Sequence, residues 1–410
     1  MTETPRNGRA AFRFRDYRLY VASRFLWTLG LQITTVATAW LIYERTRDPL
    51  ALGLIGLASF LPTVPLSLLT GHAADRYDRR LIVIASCLTM SACALATLLL
   101  TQGEAVWPIY GAVIVLGSSR AFSNPAGQAL MMSLVPDNEF TSAVSWNNSI
   151  TQTATIVGPA VGGLLYPFGA SVPFAVAFVF FCIAVVLVSA VKPQPKAMTK
   201  KEPVTLKLLL AGYTYMWSRP ILLGTITLDL AAVLVGGCTS LLPIFAAEVF
   251  YAGPWALGVL RSAPSVGSVV AALVIANFSF RKRVGVILFA SVFVFGFATI
   301  GFGLSTNIFM AIFFLIILGA ADMVSVVIRQ TLIQVETPNE MRGRVIAVHT
   351  ILTGTSNQLG DFEAGTLAHF VGAVNAVLIG GVGSIIATGL WMKMFPGILS
   401  RDSFEKPREG

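Results

Sequence analysis

Apolar and polar stretches alternate along the chain, and the apolar stretches have the length of membrane-spanning helices. The hydrocarbon core of a bilayer requires about 20 mostly apolar residues per helix. Twelve stretches meet this requirement, six before and six after a polar segment at 192–220. Their bounds are Leu19–Tyr43, Leu50–Leu69, Leu81–Leu100, Trp107–Met132, Ala143–Leu165, Val172–Val191, Ile221–Phe245, Trp255–Ala276, Val284–Leu304, Ile308–Val335, Val345–Phe370 and Ala373–Phe395. The pattern predicts an all-α membrane protein with twelve transmembrane helices.

The first apolar stretch shares features with a cleavable signal peptide. Arginines precede it, and Ala37-Thr38-Ala39 resembles a cleavage site. The stretch has 25 residues, whereas the apolar region of a signal peptide has about 7–15. We therefore predict that it is retained as the first helix.

Lysine and arginine are distributed unevenly among the predicted loops. Of the 29 basic residues, 22 lie on the side of the membrane that holds the N-terminus, and the opposite loops carry Arg45 and Arg47. Basic loops stay in the cytoplasm, so both termini are predicted to be cytoplasmic. The predicted division is an N-terminal segment at 1–17, a six-helix bundle at 18–191, a cytoplasmic linker at 192–220, a second bundle at 221–397 and a tail at 398–410. The linker is predicted to end in a short interfacial helix at Val204–Ser218.

The two halves of the chain repeat each other. Four of the five residues at 49–53 return at 254–258, and an offset of 202 gives eleven identities in the 50 residues from Leu116 to Leu165. Glycine and proline matches are among them, including Gly158 with Gly360. Two parallel repeats are typical of transporters whose substrate path lies between the halves.

Composition excludes several classes of protein. Only 12% of the residues are charged, against about 25% in a soluble domain. The net charge of +9 follows from the basic loops and does not indicate nucleic-acid binding. The four cysteines lie in apolar runs without metal-ligand spacing, so neither a disulfide nor a metal site is predicted. The phosphate-binding sequence Gly-x-x-x-x-Gly-Lys-Ser/Thr is absent, so neither ATP nor another cofactor is expected to drive the function.

The loop after the second span combines glycine, acids and arginines. Its motif residues are Gly71, Asp75, Arg76, Asp78, Arg79 and Arg80. The loop resembles the Gly-x-x-x-Asp-Arg/Lys-x-Gly-Arg-Arg/Lys signature of the major facilitator superfamily. Asp78 stands where the signature has its second glycine. In this respect the loop resembles the branch that contains enterobactin exporters and macrolide efflux proteins. The stretches at 14–19, 40–46 and 212–213, with Pro220, also resemble that branch, so the similarity covers nearly the whole chain.

This resemblance implies a major facilitator fold with two pseudo-symmetric six-helix bundles. It also implies that the loop gates the cytoplasmic side. Asp75 can accept hydrogen bonds from a helix N-terminus or pair with an arginine, and that contact would hold the cytoplasmic side closed. The alternative interpretation is a basic loop that serves membrane topology alone.

The predicted fifth helix contains Gly158, Pro159, Gly162 and Gly163. Small residues allow close helix approach, and proline leaves a backbone carbonyl without its helical donor. The pattern resembles the helix 5 motif of superfamily antiporters, which implies export. Ala154 stands where the longer motif has glycine, and an ordinary packing helix is the alternative.

Charged residues inside the predicted spans are the candidates for transport chemistry. A charge at the bilayer centre costs about 2.5–3.5 kcal/mol on insertion scales, so pairing or a wet cavity is expected. Seven are predicted to line a central cavity and to couple protons: Arg24, Arg120, Asp229, Asp322, Arg329, Asp361 and Glu363. The repeat superposes Arg24 on Asp229 and Arg120 on Asp322, which predicts partners facing each other across the cavity. The alternative is static ion pairs that only hold helices together.

These features together predict a proton-coupled antiporter. We expect it to export a small amphipathic molecule, a siderophore or a drug, by alternating access across the bacterial inner membrane. The expected partners are the substrate, protons and the lipid bilayer, and the chain is expected to act as a monomer. A proton-coupled importer of a small metabolite and a lipid flippase of the same fold stay open as alternatives. An enzyme is not expected, because no nucleophile–base pair or metal cluster is visible in the sequence.

Overall fold

The regular secondary structure is helical throughout the described chain. The computed structural model describes residues 10–62, 65–66, 70, 76–192, 206–277 and 282–404. Each predicted span falls on one of twelve helices: α1 (Arg15–Thr46), α2 (Pro49–Phe60), α3 (Arg79–Leu100), α4 (Trp107–Ser133), α5 (Phe140–Leu165), α6 (Val172–Ser189), α7 (Pro220–Gly236), α8 (Pro254–Asn277), α9 (Val284–Gly303), α10 (Ile308–Glu336), α11 (Asn339–Val371) and α12 (Ala373–Met394). The predicted all-α fold class is confirmed.

Prolines and capping side chains determine where several helices begin. Proline lies in the first turn of α4, α6 and α7, where its missing N–H is not needed for helical bonding. Asn307 caps α10 by accepting a hydrogen bond from the backbone N–H of Met310 at 2.9 Å. A helix is present at Leu206–Trp217, where the sequence predicts an interfacial one; it is called the linker helix here, and its place at the membrane interface stays a prediction.

The helices differ in how apolar they are. Eight helices of the described chain are long and apolar enough to cross a bilayer, whereas α4, α5 and α11 are long but more polar. Exposed polar side chains recur along these three helices, namely Arg120, Asn124 and Gln128 on α4, Ser145, Asn148, Ser149 and Thr153 on α5, and Thr350 and Asn357 on α11. Because polar side chains are unfavourable against lipid, these faces lie toward protein or water.

The first compact unit comprises residues 1–41 and 61–204. In its described part, α3 packs against α4 and α6. The hydroxyl of Tyr17 donates to the carbonyl of Ala143 on α5, and that of Tyr20 donates to the carbonyl of Gly127 on α4, both at 2.8 Å. Because buried tyrosine hydroxyls require a partner, these two bonds fix α1 against α4 and α5.

The second compact unit comprises residues 42–60 and 205–410. In its described part, α10 packs against α8 and α9, α12 packs against α7 and α9, and α11 packs against α7, α2 and the linker helix. Glycines allow α2 and α11 to touch, because a Cβ on Gly365 would lie 2.7 Å from the Cα of Gly53. The unit therefore includes α2, which the sequence division assigns to the bundle at 18–191. The division of the chain at the linker stays a prediction.

The span that begins with α7 is interrupted near its middle. Gly237 has an extended backbone, with φ −61° and ψ 118°, and irregular helical turns follow as far as Val249. Irregular backbone at membrane depth is tolerated where it lines a cavity or is buried in protein. Residues 236–239 do line a cavity, which is described below.

Part of the predicted tail is packed onto the second unit. The backbone N–H of Gly285 donates to the carbonyl of Arg401 at 3.0 Å, and that of Arg283 donates to the Asp402 carboxylate at 3.1 Å. The Arg401 guanidinium also pairs with Glu336 at 2.7 Å. The tail thereby caps the start of α9 and joins it to the end of α10.

The contact between α8 and α10 leads to a test of the packing. A Cβ on Gly319 would overlap the backbone of Pro264, so Gly319→Ala should force the two helices apart. Overpacking of this kind costs about 1–3 kcal/mol, and the melting temperature in detergent should fall. Gly343→Ala is the control, because a Cβ there meets no atom within 4 Å. Equal melting temperatures for the two variants would contradict this close contact.

Candidate functional site

A cavity of ≈ 400 Å³ lies within the second unit. Side chains of α7, α8, α9, α10 and α11 line it, together with the backbone of the α7 interruption. Its charged lining residues are Asp229, Asp322 and Arg329. Three of the seven predicted site residues are therefore brought together in one place.

Asp229 and Arg329 form a buried ion pair in this cavity. Their side chains are each 4% exposed, and the carboxylate contacts the guanidinium directly. Arg329 also donates to the hydroxyl of Ser325 at 3.0 Å, one helical turn earlier on α10. The guanidinium is therefore held by side chains of two helices. Because both members of the pair are buried, breaking it would leave a buried charge without a counter-charge.

Asp322 is the second acid of the cavity. It lies two helical turns before Arg329 on α10, so both residues face the same side of the helix. Among the described residues, its carboxylate makes no hydrogen bond and no ion pair within 4 Å. Two carboxylates and one guanidinium give the cluster a net charge of −1, and one bound proton makes it neutral.

Asp361 lies elsewhere in the second unit, on α11. The hydroxyl of Thr239 donates to its carboxylate at 3.3 Å. Gly56 of α2 lies directly beside it, because a Cβ on Gly56 would be 2.9 Å from the Cβ of Asp361. Arg261 is close enough to interact with it electrostatically. Glu363, two residues on, is half-buried and forms no hydrogen bond or ion pair with the described residues.

The two predicted arginines of the first unit lie on different helices. Arg24 is on α1, and its guanidinium carbon lies 4.3 Å from the centre of the Trp27 ring. Arg120 is exposed on α4, on the polar face described above. The predicted oppositions of Arg24 to Asp229 and of Arg120 to Asp322 stay predictions, whereas the ion pair of Asp229 is with Arg329.

The glycine–proline motif of α5 packs against α1. Gly158, Pro159, Gly162 and Gly163 are all buried. A Cβ on Gly162 would lie 3.1 Å from the backbone of Ile33, and one on Gly158 would overlap the side chain of Gln32. Because Pro159 has no N–H, the carbonyl of Thr155 loses its helical donor, and the Gln32 amide donates to it at 3.4 Å.

The loop motif after the second span is only partly described. Gly71 and Asp75 lie outside the described residues. Asp78 caps α3 by accepting a hydrogen bond from the backbone N–H of Arg80 at 2.9 Å. The Arg79 guanidinium donates to the carbonyl of Ala129 at 3.4 Å, and that of Arg80 donates to the end of α6 at Val188. Arg76 is exposed. The arginines therefore tie α3 to the ends of α4 and α6, and the gating role of the loop stays a prediction.

Comparison with known families identifies the class of protein. A family model described as a transmembrane secretion effector, within the major facilitator group, matches residues 8–402. The chain belongs to this family. It is therefore a multi-pass membrane transporter of the major facilitator superfamily with a small-molecule substrate, and not an enzyme.

The chain is similar to transporters of siderophores and drugs. An enterobactin exporter of Citrobacter koseri is 25% identical over 95% of this chain and 94% of its own. A staphyloferrin A transporter of Staphylococcus aureus is 25% identical over 90% and 94%. The multidrug efflux pump Tap of Mycolicibacterium fortuitum is 26% identical over 92% and 95%. The predicted resemblance to the branch that contains enterobactin exporters and macrolide efflux proteins is confirmed.

Solved structures share the fold of the transporter at low sequence identity. A D-xylose–proton symporter has a TM-score of 0.71 with 14% identity, over 93% of this chain and 98% of its own. A bacterial homologue of the iron transporter ferroportin has a TM-score of 0.70 with 17% identity, over 94% and 99%. At this identity the likeness establishes the fold alone.

Side chains that donate or accept hydrogen bonds at the predicted site residues and motifs are absent from the sequence-based set. Among them are Gln32, which donates to the free carbonyl of α5, Ser325, which accepts from Arg329, and Thr239, which donates to Asp361. The proline rule indicates that the carbonyl of Thr155 needs a donor. Which side chain supplies that donor depends on tertiary packing and is not readable from the sequence.

Proposed function

We propose that this transporter is a proton-coupled antiporter that exports a small amphipathic molecule, such as a siderophore or a drug, by alternating access. The efflux relatives support the direction and the class of substrate. The glycine–proline motif of α5, which packs against α1, also supports export, because it resembles the helix 5 motif of antiporters.

The cluster of Asp229, Asp322 and Arg329 is the observation on which proton coupling rests. Arg329 neutralises Asp229 in their ion pair, which leaves Asp322 as the excess negative charge in a cavity large enough for water. In low-dielectric surroundings an uncompensated charge is unfavourable. The cluster therefore has two distinct states, one with a proton bound to Asp322 and one in which that proton has been released. A proton-driven cycle needs such a pair of states.

We further propose that the chain lies in the bacterial inner membrane, with both termini in the cytoplasm, and acts as a monomer. The basic residues in the termini, in the linker and in the loops on the same side support this orientation. The seven charged residues and the loop motif are proposed to carry coupling and cytoplasmic gating, respectively.

Transport direction can be measured in everted membrane vesicles, whose interior corresponds to the outside of the cell. With an acidic interior, vesicles that contain the transporter should accumulate a siderophore or amphipathic drug from a test panel. Collapse of the pH gradient with nigericin should abolish the accumulation. Uptake that requires the opposite gradient would assign the transporter to the importers, and gradient-independent movement of a fluorescent phospholipid would assign it to the flippases.

A further inference from the structure

The environment of Arg24 on α1 indicates which chemical group the exported molecule carries. We propose that Arg24 is a binding site in the first unit for an oxyanion of the substrate, and that a carboxylate fits it best. The inference rests on the proposed function, because it names the substrate class of the same transporter.

The first six predicted spans carry positive charge alone. Their charged residues are Arg24 and Arg120, and they contain no aspartate or glutamate. A charge in the membrane normally pairs with an opposite charge or marks a substrate path. In the described chain, no carboxylate lies within 4 Å of Arg24. An anionic substrate would supply the missing counter-charge.

The surroundings of Arg24 hold its guanidinium in one place. The group stacks on Trp27, whose side chain is 1% exposed. On α4, a Cβ added to Gly127 would lie 3.7 Å from the Arg24 Nη1 atom and 3.5 Å from the indole of Trp27. Tyr20, beside them, donates its hydroxyl to the Gly127 carbonyl. A guanidinium fixed in this way binds a ligand with little loss of side-chain entropy.

The donors of Arg24 are not all used within the protein. Its Nε atom is buried and has no hydrogen-bond partner among the described residues. A buried donor without an acceptor is costly. The planar guanidinium matches the two oxygens of a carboxylate, which accepts two parallel hydrogen bonds from it. Because Nε is buried whereas the residue as a whole is only partly buried, a carboxylate would approach the guanidinium through its Nη atoms.

A purely structural role makes the opposite prediction about stability. If Arg24 only joins α1 to α4 through Trp27, Arg24→Gln should lower the melting temperature of the ligand-free protein. If Arg24 is instead an empty anion-binding site, the same substitution removes an uncompensated cation. The melting temperature of the ligand-free protein should then rise, as is common when a binding site is neutralised.

The test uses the full chain in detergent with three probes that share a ring, namely benzoate, benzylamine and benzyl alcohol. Benzoate should raise the melting temperature of the unaltered protein, and the other two should not. Arg24→Gln should abolish the benzoate shift, while Arg24→Lys should weaken benzoate binding about tenfold because lysine lacks the planar fork. Arg18→Gln, an exposed change on the same helix, should leave the shift intact.

Several results would overturn the proposal. These are a benzylamine shift as large as that of benzoate, no benzoate shift in the unaltered protein, a benzoate shift that survives in Arg24→Gln, and a lowered ligand-free melting temperature in that variant. The measurements are made at equilibrium without a proton gradient. A failure of proton coupling would leave them unchanged, so the two failures are distinguishable.

Discussion

Replacing Arg329 by alanine should remove most of the correctly folded transporter from the membrane. Arg329 is 3% exposed and forms the ion pair of the equally buried Asp229. Removing one partner of a buried pair costs about 3–5 kcal/mol, because the other charge stays buried without compensation. The expected result is a large fall in the monodisperse peak on size-exclusion chromatography and in the melting temperature of the protein that survives.

A second substitution separates the loss of the pair from the loss of packing. Asp229→Asn combined with Arg329→Gln removes both charges and keeps a polar side chain at each position. The double variant should be more stable than either Arg329→Ala or Arg329→Gln alone, since it leaves no buried charge without a partner. Arg401→Ala is the matched control, because its partner Glu336 is 18% exposed and can be hydrated, so its effect should be smaller. Losses that simply add when the single variants Asp229→Asn and Arg329→Gln are compared with the double variant would contradict a coupled pair.

The fold follows closely from the hydrophobic pattern, because lipid imposes the same requirement on every span. All twelve predicted stretches fall on helices, and most bounds agree closely, but α2 and α7 end at Phe60 and Gly236, well before the predicted ends at Leu69 and Phe245. The interruption of α7 is not predicted, although Gly236 and Gly237 lie within an apolar stretch. Glycine in a transmembrane helix indicates close packing as readily as a break, and the extended backbone at Gly237 is tolerated beside the cavity that residues 236–239 line.

The candidate site follows only in part from the sequence. The cost of burying charge correctly selects Asp229, Asp322 and Arg329 as residues that need partners or water. Their grouping is not predicted, since internal repeats relate Asp229 to Arg24 by position, whereas the ion pair joins α7 to α10. Repeat symmetry states which positions are equivalent. Contact depends on how each helix is rotated, which the periodicity of a nearly uniform apolar helix does not define.

The α5 motif also shows that the sequence predicts the need for a hydrogen bond but not its partner. Proline chemistry predicts that Thr155 has a free carbonyl, and small residues at 158, 162 and 163 predict a close neighbour. The neighbour is α1, and its Gln32 provides the donor. The sequence contains many polar residues that could supply this donor. Only the packing of α1 against α5 identifies Gln32 as the partner.

Proton coupling should be lost when Asp322 is replaced by asparagine. Asparagine keeps the size and polarity of the side chain, but its charge cannot change, so the cluster with Asp229 and Arg329 loses the proposed proton-binding step. In proteoliposomes with a pH-sensitive dye inside, substrate-dependent proton movement should vanish. Exchange of substrate across the membrane without a gradient should continue, because the cavity and the Asp229–Arg329 pair are unchanged. Ligand-free stability should not fall, since Asp322 has no hydrogen bond or ion pair to lose among the described residues.

Two comparisons make the Asp322 experiment decisive. Asp137→Asn makes the same chemical change at an exposed position between α4 and α5 and should leave proton movement intact. Asp322→Glu keeps the titratable group and should retain part of the coupling, at a reduced rate, because the longer side chain displaces the carboxyl group within the cavity. Intact proton movement in Asp322→Asn, at equal reconstitution, would remove Asp322 from the mechanism. The proton would then have to be sought at Asp361 or Glu363 on α11, where Asp361 has Thr239 as a hydrogen-bond donor and Arg261 nearby.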